Sequence, residues 1–339
     1  MLQPPDIDRE AFTESLRSAW AIDAEEIAFL PVGADPDAAA WRVSVSAGPR
    51  YFLKTRFRPF DPVALLVPHY LHQTAGIMEV LAPIPTRDGS LATASGAATL
   101  ILYPYVEGRD GFEAALTIEG WAALGAAMRR IHDIELPAAL TARIGTEQFG
   151  PRWRDTVRRF LGEAAAHRGD SVATRFAALL DARRNEIALI VQRAAELADM
   201  LCRRPLKLVL CHTDIHAGNV LVGGDGAIHV VDWDSPRLAP RERDLMFVGG
   251  GVGGMWNDDA EAANFYAGYG ETSVDRVALA YYRYERIVED IAVACEQILR
   301  GEGDHRDESL AQFAAQWRPR DVIAIAHATY ARLGQVSPI

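Results

Sequence analysis

"LVLCHTDIHAGNVLV" (residues 208–222) sets four polar side chains, His212, Asp214, His216 and Asn219, between two apolar runs. Three chemistries suit such a segment: a metal site, a phosphoryl-transfer loop, or a polar turn in an ordinary core. The apolar runs read as short strands near 207–211 and 219–222. "GGDG" (223–226) is a turn, and "AIHVVDW" (227–233) returns as a second strand of a hairpin. Asp214 then follows one strand, Asn219 opens the next and Asp232 closes its partner. The hairpin brings Asn219 and Asp232 to the same open end. An Asp and an Asn side by side are hard oxygen ligands, suited to Mg²⁺ that also holds substrate phosphates. A second carboxylate nearby, Asp214, can orient a hydroxyl and accept its proton. Zinc held by His212, Asp214 and His216 is the competing reading. It needs a further ligand close by, and the candidate His229 lies on the strand face opposite Ile228 and Val230.

The rest of the 339-residue chain narrows these choices. With 49% hydrophobic residues the chain can bury a large core, and its length favours two lobes. Its 35 basic against 46 acidic residues give a net charge of −11. That argues against nucleic-acid binding, which rests on neutralising phosphates. Cys202, Cys211 and Cys295 are widely spaced with no CxxC pair, which reads as reduced thiols of a cytoplasmic protein. No apolar run reaches the roughly 18 residues of a membrane span, and the first residues lack a leader's basic and apolar regions. Lys54 and Lys207 are the only lysines; arginine supplies every other basic side chain. A lysine kept in such a chain marks a place for a compact ammonium where a planar guanidinium does not serve. Lys54, inside the strand-like "YFLKTR" (51–56), is a candidate to reach phosphates.

Along the chain, 8–19 reads as an amphipathic helix and 26–31, 41–46 and 51–56 as strands, with the loop "VGADPDAAA" (32–40) between the first two. Residues 62–75 suit a helix with an internal proline, and "APIPT", "SLAT" and "ATLILYPYV" supply short strands. From 117 the pattern turns helical, with Trp121, Leu124, Met128 and Ile131 on one face and Thr117 as N-cap. Further helices are expected at 152–165, 171–200, 274–300 and 319–332. The layout is α+β: a β-rich N-terminal lobe at 1–106, a mainly helical C-terminal lobe at 107–339, and a polar hairpin among the helices.

"CHTDIHAGNVLV…HVVDWD" resembles the HGDxHxxN…ID pattern of the aminoglycoside phosphotransferase and choline kinase family, relatives of the protein kinases. The resemblance extends along the chain through "YFLKT", "LILYPYVEG", "IHDI" and "RERDL". On "LILYPYVEGRDGF" and "YYRYERIVEDI" it is most like the spectinomycin phosphotransferase branch. It implies a bilobal protein-kinase-like fold and an O-phosphotransferase using ATP and Mg²⁺, with GTP left open. The acceptor it implies is a small, cationic, hydroxylated molecule such as an aminocyclitol antibiotic. A metabolic kinase for choline, a sugar or another alcohol, and a catalytically silent nucleotide-binding relative, are the alternatives.

Carried over residue by residue, the resemblance makes Asp214 the catalytic base or hydroxyl-orienting residue, with Asn219 and Asp232 as Mg²⁺ ligands. Lys54 would contact the α/β-phosphates and His212 would brace the loop. Tyr103 would lie behind the adenine, with the Pro104 carbonyl and the Val106 N–H on its edge; a proline suffices where only the carbonyl is used. Asp244 of "RERDL" is expected to buttress the catalytic loop. Two features depart from the kinase pattern. The helix at 62–75 has no acidic residue to pair with Lys54, so either the flanking Asp61 or Glu79 partners it or the pairing is absent, and "VGADPDAAA" is no GxGxxG loop. At the acceptor side, Glu289 and Asp290 on the 274–300 helix are expected to contact substrate. Trp256 in the glycine-rich 249–258 loop is expected to act as a lid. Asp234 is read either as a second metal ligand or as a turn residue.

Overall fold

In the computed structural model, which describes residues 3–33, 35, 37–163, 170–301 and 306–335, the chain runs as follows. The N-terminal elements are α1 (Arg9–Trp20), β1 (Glu26–Leu30), β2 (Ala38–Ser44), β3 (Arg50–Arg56), α2 (Val63–Gln73), β4 (Thr93–Ser95), β5 (Ala98–Pro104) and β6 (Gly108–Asp110). Helices α3 (Ile118–Asp133), α4 (Ala138–Thr141), α5 (Arg152–Glu163), α6 (Ser171–Ala182) and α7 (Arg184–Cys202) follow. Four short strands come next: β7 (Val209–Cys211), β8 (Val220–Gly223), β9 (Ile228–Val230) and β10 (Arg237–Ala239). The chain closes with α8 (Glu242–Leu245), α9 (Asp259–Tyr269), α10 (Arg276–Leu299), α11 (Arg306–Ala315) and α12 (Val322–Ala331). Sheet and helices together give the α+β class. Among the described residues, no helix is long and apolar enough to cross a membrane.

The chain forms two compact units: Met1–Gly120 with Glu135–Ile144 and Gly218–Pro236, and Trp121–Ile134 with Gly145–Ala217 and Arg237–Ile339. This differs from a single break at 106/107. The β8–β9 hairpin belongs with the first unit because β6 pairs antiparallel with β8 and Val230 bridges Val80. Leu81 N–H donates to the Val230 carbonyl, and Val230 N–H to that of Glu79.

The first unit is organised by an antiparallel sheet of order β1-β2-β3-β5-β4. Alternation does the work in β3: Leu53 and Thr55 are buried, while Lys54 and Arg56 take the other face. On the buried side, Trp41, Val43, Leu53, Leu100 and Leu102 meet Phe12, Leu16 and Trp20 of α1. Those three recur every four residues, so they lie on one face of α1, and each contributes about 1.5–3 kcal/mol by leaving water. Asp8 caps that helix by accepting from Ala11 N–H at 2.9 Å.

In the second unit α10 is the central helix, packed by α5, α7, α11 and α12. It is apolar on most sides, and its N-terminus is capped by Asp275, which accepts from Val277 and Ala278 N–H. The face of α3 carrying Trp121, Leu124, Met128 and Ile131 is buried. Thr117 Oγ1 accepts from Gly120 N–H at 3.1 Å at the start of that helix. α3 meets α9 at glycines: a side chain on Gly125 would run into the Phe265 carbonyl, and one on Gly268 into that of Ala122.

Further expectations change, among them the strand expected in "APIPT" (82–86), which is irregular. The helix expected at 171–200 is two, α6 and α7, parted at Arg183, whose backbone (φ −99°, ψ 4°) has left the helical region. β6 and β10 were not expected as strands; each is three residues long and exists through its pairing with β8 or β7 rather than through its own pattern. Ala34 and Pro36 of the 32–40 loop, and 164–165 of the helix expected at 152–165, lie outside the described residues.

Candidate active site

The first unit assembles the residues expected to serve a nucleotide. Register sets Lys54 opposite Ile101 of β5 and Phe52 opposite Tyr103. Phe52 and Lys54 therefore share a strand face, and the rings of Phe52 and Tyr103 meet edge-on at 6.3 Å. Burial pushes the Tyr103 hydroxyl above its ordinary range. β4 pairs β5 only as far as Leu100, so β5 runs on past its outer partner to an exposed Pro104, and a half-buried Val106 follows the strand.

The hairpin behaves as its sequence requires. β8 pairs β9, and Val231 N–H donates to the Asn219 carbonyl at 3.0 Å, so Asn219 and Asp232 flank one open end. Asp232 sits at φ 62°, in the left-handed region that a non-glycine residue rarely takes. Lys54 Nζ donates to Asp232 Oδ1 at 2.8 Å and to the two oxygens of Asp234 at 2.9 and 3.0 Å. Burial opposes the charge on Lys54, but the two aspartates outweigh it and raise its pKa. These aspartates answer the question left by the α2 helix: Lys54 pairs with them and not with Asp61 or Glu79. Asp61 instead accepts from Val63 N–H at the start of α2. Arg56 also donates to Asp234, at 2.6 Å. Burial would raise the Asp234 pKa, yet Lys54 and Arg56 hold it below the ordinary carboxylate value.

The second unit builds the loop that carries Asp214. β7 ends at Cys211, paired with Arg237 of β10. Thr213 then adopts φ 79°, a costly conformation for a β-branched residue. Asp244, 1% exposed, over-determines that turn. Its carboxylate accepts from Thr213 N–H at 2.7 Å, His212 N–H at 2.9 Å and His132 Nε2 at 3.0 Å. The other ring nitrogen of His132 meets the Tyr269 hydroxyl at 2.8 Å. Burial would raise the Asp244 pKa, but the His132 hydrogen bond and these donors lower it. His212 Nδ1 accepts from Asp214 N–H at 3.2 Å. Asp244, His132 and Cys211 cluster closely enough to suggest a metal. The carboxylate is instead consumed by those donors, and burial holds the Cys211 thiol protonated, well above its ordinary pKa.

Asp214 itself is ion-paired. Arg286 Nη1 donates to its Oδ1 at 2.5 Å, and His216 Nε2 lies 3.6 Å from its Oδ2. Burial would raise the Asp214 pKa; Arg286 first, then His216, lower it instead. Arg286 Nε faces Asp290 Oδ1 at 2.9 Å, one turn along α10, and its guanidinium lies over the Phe247 ring. Burial raises Asp290 to about 6 despite that partner. Glu289 lies 3.9 Å from Arg243. Asp290, expected to contact substrate, has one carboxylate oxygen on Arg286. Trp256 is corrected outright: it is 5% exposed and packs edge-on against Trp121 at 4.9 Å, so it is core and not a lid.

Sequence reading missed the roles of Arg286, His132, Arg56 and Asp234. The i, i+4 spacing of Arg286 and Asp290, and the Lys-x-Arg alternation in β3, were the available signals. Neither pointed to its distant carboxylate partner.

An antiparallel sheet bearing an ion-paired lysine, and an aspartate loop locked by a buried carboxylate, are the parts of a protein-kinase-like phosphotransferase. The chain belongs to the phosphotransferase enzyme family, whose model it matches over residues 26–282, and it is an enzyme of that class. It is similar to the spectinomycin phosphotransferase APH(9)-Ia solved with ADP and spectinomycin: 37% identical, covering 96% of this chain and 99% of that one, TM-score 0.90. Protein StrN of Streptomyces griseus is 27% identical over 245 residues, 68% of this chain and 72% of StrN. The amicoumacin kinase hAmiN, in complex with AMP-PNP, Ca²⁺ and Ami, shares the fold at 17% identity and TM-score 0.62, covering 95% of this chain and 94% of that one.

Proposed function

We propose that the protein transfers the γ-phosphoryl group of ATP to a hydroxyl of a small cationic acceptor, with a spectinomycin-like aminocyclitol as the best single candidate. The observation that carries this reading is the similarity to APH(9)-Ia over nearly the whole of both chains. The local chemistry is consistent with it. Phosphoryl transfer asks mainly for positioning and charge neutralisation. Lys54 provides a fixed cation for the phosphates, and the Tyr103–Val106 segment at the end of β5 provides a place for adenine.

The donor set at the hairpin suits Mg²⁺: Asn219 and Asp232 offer hard oxygens, and Asp232 already accepts from a cationic group. Mg²⁺ bound there would neutralise charge on the transferring phosphates. Asp214 orients the acceptor hydroxyl and takes its proton as the new P–O bond forms and ADP leaves. Arg286 lowers the Asp214 pKa, which makes the carboxylate a weak base suited to orienting the hydroxyl. His212 and Asp244 hold the loop that carries it.

Glu289, 27% exposed on α10 and 3.9 Å from Arg243, is the acidic group we assign to attract a cationic acceptor. The test is ADP release from ATP and Mg²⁺ by the purified protein, with spectinomycin, aminoglycosides, choline and sugars as acceptors. Turnover is expected with spectinomycin. Turnover with choline or a sugar alone would replace the acceptor assignment, and tight nucleotide binding with no turnover on any acceptor would replace catalysis.

A further inference from the structure

The loop between β1 and β2 is no GxGxxG phosphate cradle, which leaves Lys54 as the only assigned phosphate contact. Arg56 stands two residues further along β3, on the same face as Lys54. Their side chains are 18% and 16% exposed, so both cations are largely withdrawn from water. Both end on one carboxylate. Lys54 Nζ lies 2.9 Å from Asp234 Oδ1, and Arg56 Nη1 lies 2.6 Å from Asp234 Oδ2. Arg56 also lies 3.7 Å from Asp35, in the β1–β2 loop itself, and its guanidinium covers the Phe60 ring at 5.2 Å. Asp35 in turn shapes its loop by accepting from Asp37 N–H at 2.8 Å.

Lys54 Nζ divides its hydrogen bonds between Asp232 and the two oxygens of Asp234. Arg56 sets a second cation on the carboxylate that Lys54 holds, and a planar five-donor guanidinium matches phosphate oxygens. We propose that Arg56 is a second phosphate-binding cation, forming with Lys54 a clamp on the nucleotide's polyphosphate, and that Asp234 is the counter-ion holding both until nucleotide arrives. This rests on the ATP-dependent reading above. The phosphate oxygens would replace Asp234 as acceptors for Arg56, with no covalent change in the protein.

The experiment is calorimetric binding of AMP and ATP to the full chain, comparing wild type with Arg56→Met. The clamp predicts that ATP binding weakens by about tenfold or more while AMP binding stays within about twofold, because a charge-assisted contact is lost only where β- and γ-phosphates are present. Equal weakening of both nucleotides, or no change in either, overturns it and leaves Arg56 a structural ion pair. Should Arg56→Met fail to fold, Asp234→Asn without divalent metal gives an independent reading. Freed of its competitor, the clamp should bind ATP several-fold more tightly with AMP unchanged; unchanged or weaker ATP binding overturns it. If wild type binds ATP and the variants leave the AMP-to-ATP increment intact, only this inference fails. If wild type binds no nucleotide, the reading beneath it fails too.

Discussion

Replacing Arg286 by methionine removes the cation from Asp214 while keeping an unbranched apolar stem over Phe247. The pair is close, with Nη1 2.5 Å from Oδ1. Two unit charges about 4 Å apart attract by about 4 kcal/mol at an effective dielectric of about 20 and about 1 kcal/mol in water. The Asp214 side chain is 43% exposed and that of Arg286 18%, so screening places the pair toward the lower end, about 1–2 kcal/mol. The sign follows from which form is stabilised. Arg286 lowers the Asp214 pKa, so it protects the ionised carboxylate as pH falls. Without it, the acid limb of the kcat/KM profile should move to higher pH. At neutral pH kcat should fall by about tenfold as the carboxylate loses its fixed orientation. Steady-state kinetics over the acid-to-neutral range, with saturating ATP, read both effects. The reasoning is refuted if the acid limb stays in place and the rate falls equally at every pH, since Arg286 would then act only through packing.

Three further outcomes are expected. Burial raises Glu285 to about 7 from an ordinary 4.5, so the stability it contributes is present below the ordinary value and lost as pH rises through about 7. Glu285→Gln should therefore raise the unfolding free energy by about 1–3 kcal/mol near pH 8 and change little below the ordinary value, read by denaturant titration at both. The variant leaves Arg154 bonded to the carbonyls of Phe149, Gly150 and Ala194. Asp244→Asn turns an amide nitrogen toward backbone N–H donors; with three buried hydrogen bonds disturbed, unfolding free energy should fall by about 2–4 kcal/mol. In that variant kcat should drop while ATP affinity, measured calorimetrically, holds; an unchanged kcat would remove Asp244 from loop positioning. Gly268→Ala forces a methyl into the Ala122 carbonyl. It should cost about 1–3 kcal/mol in thermal denaturation, and a neutral result would mean that α9 can shift away from α3.

The sequence determined a good deal of this by local pattern. Strand alternation in "YFLKTR" places Lys54 and Arg56 on one face whatever surrounds them, because the side-chain period of a strand is fixed. The "GGDG" turn fixes the β8–β9 hairpin, and with it the placing of Asn219 and Asp232 at one open end. The α3 face and the amphipathic α1 follow from a spacing of three and four residues. Motif order along the chain was enough for the family.

Tertiary structure decided the partners. Nothing local tells Lys54 that its counter-ions lie 178 and 180 residues away at Asp232 and Asp234. Nothing in "CHTD" reveals that its strained threonine is held from Asp244, or that Asp214 is claimed by an arginine 72 residues on. The glycine-rich setting of Trp256 suggested a mobile lid, and packing on Trp121 made it core. A charge declares its sign in the sequence, but what neutralises it depends on which distant carboxylate the fold brings within about 3 Å, a distance that local periodicity does not encode.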